Sequence, residues 1–461
     1  MSALAPGPGG ENAEPRVELS QTAPLHASRP AVPPRAEDAA GFIRVLRRRD
    51  FRLLWGAQVA SQLADKFFAF TLLIVTYDIS KAASLPSVLM VAYTLPSVFF
   101  SAPAGVYADR HDKRRLMFAT NVVRAGLILL VPATQFVPPL QDQAWPLLII
   151  TFLFSSVGQV FAPAEAASIP SLVSREQIMG ATSLFMTTVI LTLVIAVPLA
   201  PLTIRIFGDV YAPFYIAAGL FGCAALFILL IGASLRATPL GAATDTHVIQ
   251  ELREGIAILR HTPALRIGLL QLALALVVVF TLFALGPAYL KTELGRDDKD
   301  TYLVLIPATL GLIGTAGVLG QRAVGVSRRS MMAMAMITAG ACLVAIGVGP
   351  RITAALALGG LQLPLVIVLS LVFGIALGAI LIPAFTVLQE RSDPETRGRI
   401  FGGIFTVINA AIAVPLVAAG VAADLLHSVG GVLAGSGAIL IALALFFRAL
   451  GWSWLAVLDE P

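Results

Sequence analysis

The chain has 461 residues, of which 57% are hydrophobic and only 13% charged, and its formal net charge is +5. Its mean hydropathy of +0.85 lies well above that of soluble globular proteins, in which apolar residues make up about half of the chain. The composition therefore indicates an integral membrane protein. Apolar runs of about 20 residues can cross a bilayer as helices, and they lack the alternating pattern of transmembrane barrel strands. The predicted fold class is an all-α membrane protein.

The N-terminal segment differs from the rest of the chain. Its first 40 or so residues are rich in Pro, Ala, Glu and Gly and show no apolar period, which is typical of disorder. We expect residues 1–50 to form a disordered cytoplasmic tail. No apolar segment follows Met1, so we expect the first spanning helix, and not a cleaved signal peptide, to direct insertion.

Twelve apolar runs follow the tail, separated by charged or Pro/Gly-rich breaks. They lie near 53–77, 84–108, 115–136, 145–168, 177–203, 212–233, 265–290, 302–324, 329–349, 363–388, 399–423 and 430–452. The expected domains are an N-terminal six-helix half (51–233), a cytoplasmic linker with an amphipathic helix (234–264), a C-terminal six-helix half (265–452) and a cytoplasmic tail (453–461).

The basic residues are distributed unevenly among the loops. Of the 32 Lys and Arg residues, 24 lie in the two tails and the even-numbered loops, and six lie in the odd-numbered loops. Cytoplasmic loops carry the excess of Lys and Arg, so we predict that both termini are cytoplasmic. The basic surplus is thereby explained as a topology signal, and we expect no nucleic-acid partner.

The two predicted halves share short sequences at equivalent places. Ile-Ala-Val-Pro-Leu occurs at 195–199 in the fifth span and again at 412–416 in the eleventh. Gly105-Val106-x-x-Asp109-Arg110 after the second span corresponds to Gly317-Val318-x-x-Gln321-Arg322 after the eighth. These matches indicate a duplicated six-helix unit, an organisation that many secondary transporters share.

The loop between the second and third spans reads GVYADRHDKRRL and concentrates charge between long apolar runs. It resembles the loop signature of the major facilitator superfamily, in which a glycine precedes an Asp-Arg pair and a basic cluster. The resemblance implies two pseudo-symmetric six-helix halves and a cytoplasmic gate, in which the aspartate points at the N-terminal end of the eleventh span. The corresponding residues here are Gly105, Asp109, Arg110, Arg114, Arg115, Arg397 and Arg399. For Arg114 and Arg115, a role in topology alone is the alternative.

Within that superfamily, FRLLWGAQVASQLADKF and FAPAEAASIPSLVSREQ resemble the bacterial exporter branch that contains macrolide efflux proteins and the enterobactin exporter. The resemblance implies a multi-pass protein of the bacterial inner membrane, working as a monomer in a lipid bilayer. It implies proton-coupled efflux of a drug-like compound or siderophore by alternating access. Two departures weaken antiport: the fourth span lacks an arginine that many proton antiporters carry, and the Gly-Pro-rich signature of the fifth span is reduced.

Polar residues midway along the first span are the main site candidates, because ionisable groups at bilayer depth are expensive and usually functional. Gln58, Ser61, Gln62 and Asp65 recur at helical spacing, and Lys66 follows Asp65. We expect this stripe to face the bundle or its cavity. Asp65 is the candidate carrier of the coupling proton, and a purely structural ion pair that orients the span is the alternative.

Further candidates lie in other spans. Arg124 in the third span could neutralise Asp65, bind an anionic substrate, or extend to the cytoplasmic surface. Gln159 and Glu165 lie toward the cytoplasmic end of the fourth span, where Glu165 could simply be interfacial, and Asn409 lies in the eleventh. Tyr93 is one of several aromatic residues that could line an apolar cavity or merely pack.

The sequence contains no Gly-Lys-Ser/Thr phosphate loop and no His-Glu-x-x-His motif, so we expect neither an ATP-driven pump nor an enzyme. We expect no catalytic residues, no cofactor and no metal. The two cysteines, Cys223 and Cys342, are predicted to be buried free thiols. The alternatives to efflux are uptake or lipid flipping by the same fold, and less favoured, a non-transporting membrane receptor.

Overall fold

A computed structural model describes residues 42–141, 143–235, 263–322, 328–390 and 397–449. In these ranges the chain forms twelve helices of 18 residues or more: α1 Arg49–Ser80, α2 Ser84–Arg110, α3 Lys113–Ala133, α4 Trp145–Leu172, α5 Ile178–Phe207, α6 Ala212–Leu229, α7 Pro263–Glu293, α8 Tyr302–Arg322, α9 Arg328–Ala355, α10 Gln362–Glu390, α11 Arg397–Leu425 and α12 Val429–Ala449. Short 3₁₀ turns, Thr134–Phe136, Pro138–Leu140, Arg175–Gln177, Asp298–Thr301 and Gly359–Leu361, lie between some of them.

Each predicted span overlaps one of these helices, and the boundaries differ by at most six residues. Eleven helices are long and apolar enough to cross a membrane; in α11 the searched part, Ala411–Leu425, is a shorter apolar helix. Prolines lie inside many helices, including α4 and α5, as membrane helices tolerate. The predicted all-α, twelve-helix membrane fold is confirmed.

The two halves pack in the same way. In the first half α2 packs on α4, α3 on α4, and α3 on α6; in the second half α8 packs on α10, α9 on α10, and α9 on α12. Small residues bring the helices of the second half close together: a Cβ on Gly374 of α10 would overlap the Ala308 carbonyl of α8. Such small-residue contacts are typical of helix packing in membranes. The same pairs of helices therefore pack together in both halves, as expected for a duplicated six-helix unit.

Odd-numbered helices begin at one face of the bundle and even-numbered helices begin at the other. We call the face at which α1 begins the terminal face, and the other the opposite face. One buried apolar cluster, mostly in the opposite-face part, combines residues of both halves, and Phe70 of α1 packs edge-on against Phe283 of α7 at 4.5 Å. Of the other two described clusters, which lie toward the terminal face, one belongs to the first half and one to the second. The halves are therefore joined on the opposite face.

The packed part of the first half begins earlier than the predicted boundary at residue 51. Residues 42–46 form a helical turn, and Val45 is buried in the terminal-face core of this half. Leu235, at the start of the predicted linker, is buried in the same core. The amphipathic helix expected in the linker falls on residues 236–262, which lie outside the described ranges, as do residues 1–41 and 450–461.

One cysteine prediction is wrong. Cys342 is buried, but Cys223 of α6 is exposed on the bundle surface. The reason is that the outer surface of a membrane bundle is itself apolar, so an apolar run does not distinguish a core position from a lipid-facing one.

Candidate functional site

Asp65 lies midway along α1 and is only 9% exposed. Arg124 Nη2 donates to its Oδ1 and forms an ion pair with it. Lys66 Nζ donates to Oδ2 at 2.9 Å, and the Tyr93 hydroxyl of α2 donates to the same oxygen. Both carboxylate oxygens are thus satisfied by donors from three helices, and two of those donors are cations. The arrangement stabilises the ionised carboxylate inside the bundle.

Arg124 reaches Asp65 from α3 and remains inside the first half, with 6% of its surface exposed. Its guanidinium carbon lies 4.1 Å from the centre of the Phe154 ring and 4.5 Å from that of Phe221, within cation–π range. Gly158 of α4 leaves room for it, because a Cβ there would lie 3.3 Å from the guanidinium carbon. The structure therefore places Arg124 beside Asp65, where it neutralises the carboxylate, and the side chain does not extend to the membrane surface.

The polar stripe of α1 divides between two surfaces. Gln58 and Ser61 are buried with Asp65, and the Gln58 side-chain amide donates to the Phe185 carbonyl of α5 at 3.2 Å. Gln62 and Lys66 are instead partly exposed. Gln62 lies two turns and Lys66 one turn before Phe70, on the face of α1 that meets the second half. The expectation of one inward-facing stripe is therefore too simple: one row faces the interior of the half, and the other faces the space between the halves.

Glu165 of α4 is buried rather than interfacial, with 6% of its surface exposed, and its Oε1 has no hydrogen-bond partner in the described part of the chain. Gln159, one helical turn and a half earlier, is half-buried and donates to the Ser155 carbonyl at 3.2 Å. The side chain of Asn409 lies outside the described residues. The structure thus places Glu165 and Gln159 in the first half and gives no position for the Asn409 side chain.

Sequence reasoning missed two polar participants. The sequence indicates for Tyr93 only a lining or packing role, whereas its hydroxyl donates to Asp65. Helical periodicity does not reveal that these two helices contact each other. Asn121 is fully buried, and neither atom of its amide group has a partner among the described residues. Its spacing from Arg124 was the available signal, because residues three apart share a helix face.

The charged loop after α2 contacts the end of α6. Arg114 Nε donates to the Ile228 carbonyl at 3.3 Å, and its Nη2 donates to the Leu229 carbonyl. A cation at a helix C-terminus stabilises the helix by satisfying its last carbonyls. Two residues before Arg114, Asp112 accepts from the Arg115 backbone N–H at 3.1 Å and caps α3. In this conformation Arg114 connects elements of its own half.

The remaining gate candidates lie on the terminal face. Asp109, Arg110 and Arg115 are exposed, and in the described part of the chain a Cβ placed on Gly105 would meet no atom of another helix within 4 Å. The side chains of Arg397 and Arg399 lie outside the described residues. The expected contact between Asp109 and the start of α11 thus stays a prediction, and it concerns a conformation in which the terminal face is closed.

Two six-helix halves that pack in the same way, with a charged cluster buried midway through the first, are an arrangement typical of membrane transporters. The chain belongs to the Major Facilitator Superfamily, whose family model matches residues 54–415. The predicted family is thereby confirmed, and so is the prediction that the protein is not an enzyme, since these proteins are transporters.

Two relatives carry export in their names. Macrolide efflux protein A of Streptococcus pyogenes is 23% identical over 380 residues, covering 81% of this chain and 89% of the relative. The multidrug efflux pump Tap of Mycolicibacterium fortuitum is 24% identical over 348 residues, covering 73% and 80%. Among solved structures, a bacterial homolog of the human lysosomal transporter Spinster has a TM-score of 0.62 at 12% identity, covering 89% of this chain and 97% of that one. The last comparison supports the fold alone.

Proposed function

We propose that this transporter exports amphipathic small molecules across a bacterial inner membrane by alternating access, driven by protons that move inward. The observation that carries the proposal is the buried Asp65 carboxylate with its three donors. The names of the efflux relatives support the direction of transport. With both termini in the cytoplasm, the terminal face is the cytoplasmic face and the described conformation is closed to the outside.

The charges around Asp65 fit one stage of a proton cycle. With Arg124 and Lys66 both charged, the cluster carries a net charge of +1, and protonation of Asp65 would raise it to +2 inside the bundle. Burying uncompensated charge is costly, so this conformation favours the ionised form. In proton-driven export the proton leaves on the cytoplasmic side. A conformation closed to the outside, with Asp65 ionised, therefore corresponds to the stage after proton release.

Lys66 connects this cluster to the space between the halves. Its side chain is 20% exposed, against 12% for Asp65 and 8% for Arg124. A bound substrate or a change of conformation that draws Lys66 away would leave Oδ2 of Asp65 with only the Tyr93 hydroxyl and would favour protonation. Around Lys66 the partly exposed surface of α1 is polar at Gln62 and apolar at Leu63. A surface with one cation and few polar groups suits amphipathic compounds more than highly charged ones.

The test is flux in proteoliposomes, with a radiolabelled macrolide and the dye ethidium as probes. A proton antiporter accumulates the probe when the vesicle interior is acidic, whereas a proton symporter accumulates it when the interior is alkaline, whichever way the protein is inserted. We expect acid-driven accumulation. Accumulation only into alkaline vesicles would support uptake, and probe binding without flux would support a receptor; either result would overturn export.

The role of Asp65 is tested with Asp65→Asn, which keeps the shape of the side chain but cannot titrate. We expect it to abolish accumulation driven by the pH gradient while leaving downhill exchange of the probe largely intact, at equal amounts of folded protein. Asp209→Asn is the matched control, because Asp209 is exposed on the opposite face and should have no effect. Accumulation by Asp65→Asn at the wild-type level would show that the proton travels elsewhere, with Glu165 the next residue to test.

A further inference from the structure

The last turn of α11 contacts the beginning of α2 across the two halves. Both oxygens of Asp424 accept hydrogen bonds from backbone N–H groups there, one from Ala83 at 2.7 Å and one from Ser84 at 2.9 Å. The residue at the N-cap of α2 is Ala83, and no side chain of its own segment caps the helix. A carboxylate from the other half of the chain therefore supplies the cap and meets the positive end of the helix.

The helices also touch directly one turn away. A Cβ on Gly420 of α11 would lie 2.9 Å from the Ser84 Cα and would overlap the Ser87 hydroxyl of α2. Ser87 is fully buried, and Ala423 is 3% exposed. The glycine allows the two backbones to approach closely enough for the Asp424 carboxylate to reach the end of α2. An ion pair between Asp78 and Lys291, 3.8 Å apart, also joins the halves on this face, but both side chains are about half exposed.

The two helices are antiparallel, and each has an aspartate as its penultimate residue. Asp424 is the penultimate residue of α11, and Asp109 is the penultimate residue of α2. A helix of 27 residues is about 40 Å long, so the two aspartates belong to opposite faces of the bundle. In the described conformation Asp424 caps α2, while Asp109 is exposed. The pair α2 and α11 thus has one aspartate at each face of the bundle. Asp424 lies beside the N-terminus of α2, and Asp109 is expected to meet the N-terminus of α11.

We propose that Asp424 is a state-determining residue of transport: it holds the opposite face closed by capping α2, and it must release α2 before the halves can part on that face. This inference rests on the alternating access of the proposed function but not on its proton or its substrate. Asp424 would act as the counterpart of Asp109, each aspartate engaged in the state in which the other is free. The equilibrium between the two states then depends on the balance of the two caps.

Distances between spin labels on the opposite face measure that equilibrium. Phe136→Cys follows α3 in the first half and Leu361→Cys precedes α10 in the second, and both positions are well exposed. The background is Cys223→Ser with Cys342→Ala, so that only the introduced thiols are labelled. The purified full chain in detergent or nanodiscs is sufficient, because the measurement needs neither a substrate nor a pH gradient. Its failure would therefore leave the proposed role of Asp65 untouched.

In Asp424→Ala we expect the ratio of long to short distances to rise about tenfold, because a lost N-cap together with its charge–dipole interaction typically shifts an equilibrium by that order. Asp424→Asn keeps the shape and one acceptor, so it should shift the ratio in the same direction by less; it replaces the alanine variant if that variant does not fold. Asp78→Asn, which removes the exposed ion pairs with Lys81 and Lys291, should change the ratio less than about threefold.

Gly420→Ala provides an independent perturbation. It adds a methyl group between α2 and α11, should also favour long distances, and leaves the Asp424 carboxylate unchanged. If Gly420→Ala lengthens the distances while both Asp424 variants match the wild type, packing alone closes this face and the proposal is wrong. Unchanged distances in all of these variants would overturn it as well.

Discussion

Asp65 and Arg124 would keep different partners if the other residue were replaced, and this difference predicts which replacement is more destabilising. Removing one partner of a buried ion pair typically costs about 3–5 kcal/mol, because the other charge is left uncompensated. After Asp65→Asn, Arg124 retains the Phe154 and Phe221 rings, and a desolvated cation–π contact is worth about 2 kcal/mol, but it retains no anionic partner in the described part of the chain. After Arg124→Met, Asp65 retains Lys66 at 2.9 Å and the Tyr93 hydroxyl. We therefore expect Asp65→Asn to be the more destabilising change.

The double variant should be more stable than the single variants imply. With Asp65→Asn and Arg124→Met together, the buried Asp65–Arg124 pair is replaced by neutral groups, a change that is often close to neutral. Only the partly exposed Lys66 then loses its carboxylate partner. Asp65→Asn alone should lower the free energy of unfolding by about 3–5 kcal/mol. In the double variant we expect a decrease of only about 1–2 kcal/mol, because the effects of two residues that contact each other are not additive.

Cys342 gives a convenient measurement. It is 5% exposed, so in a Cys223→Ser background a thiol-reactive fluorescent dye reports its exposure as the protein unfolds on heating in detergent. The midpoint temperatures should rank wild type first, then the double variant and Arg124→Met, with Asp65→Asn lowest. A double variant less stable than both single variants would refute the reasoning, because it would show that the two side chains act independently.

Three further predictions follow from the faces of the bundle. A tag after Ala40 should be labelled by a membrane-impermeant reagent only in lysed cells, because the termini are expected in the cytoplasm; labelling in intact cells would contradict this topology. Asp109→Asn should shorten the label distances across the opposite face, because it removes the cap on α11 that is expected when the terminal face is closed. Unchanged distances would count against that cap. Arg114→Ala should lower the midpoint temperature by removing two bonds to the end of α6, at about 0.5–1.5 kcal/mol each, whereas the exposed Arg115→Ala should not.

The helices and their order could be predicted from sequence because the bilayer imposes a length on each apolar run. The structural boundaries extend beyond many of the predicted ones, at α1, α4 and α9 for example, since helices continue past the apolar core into more polar surroundings. Lys66 and Arg124 were also predictable as possible partners of Asp65, because a mid-span carboxylate needs a compensating charge.

The partners across helices were less predictable. Helical periodicity identifies the face on which a residue lies, but not the helix that this face meets. Tyr93 and Asp424 illustrate the limit: one contacts a residue 28 positions away, and the other contacts one 341 positions away. Similarly, Asp65 and Lys66 are adjacent in sequence but about 100° apart around the helix, so that one faces the interior of the half and the other faces the space beside it.

Each half is held together by polar contacts within itself. On the terminal face of the first half, Asp50 accepts from the backbone N–H groups of Gly232 and Ala233 at 3.2 and 2.9 Å. On the opposite face of the second half, Glu293 pairs with Arg351 at 3.0 Å and accepts from the Gly430 N–H at 2.8 Å. These contacts connect α1 to the segment that follows α6, and α7 to α9 and α12, which favours movement of the halves as units.

If the halves move as units, the Asp65 cluster cannot be rearranged simply by pulling its helices apart, because Asp65, Arg124 and Tyr93 all belong to the first half. What changes between states is the surface that the second half presents to it. The Lys66 side chain is more exposed than those of Asp65 and Arg124 and lies on the face of α1 that meets the second half. Coupling between the charge of Asp65 and the position of the second half would therefore pass through Lys66, while the proposed Asp424 cap would shift the equilibrium toward the state that is closed on the opposite face.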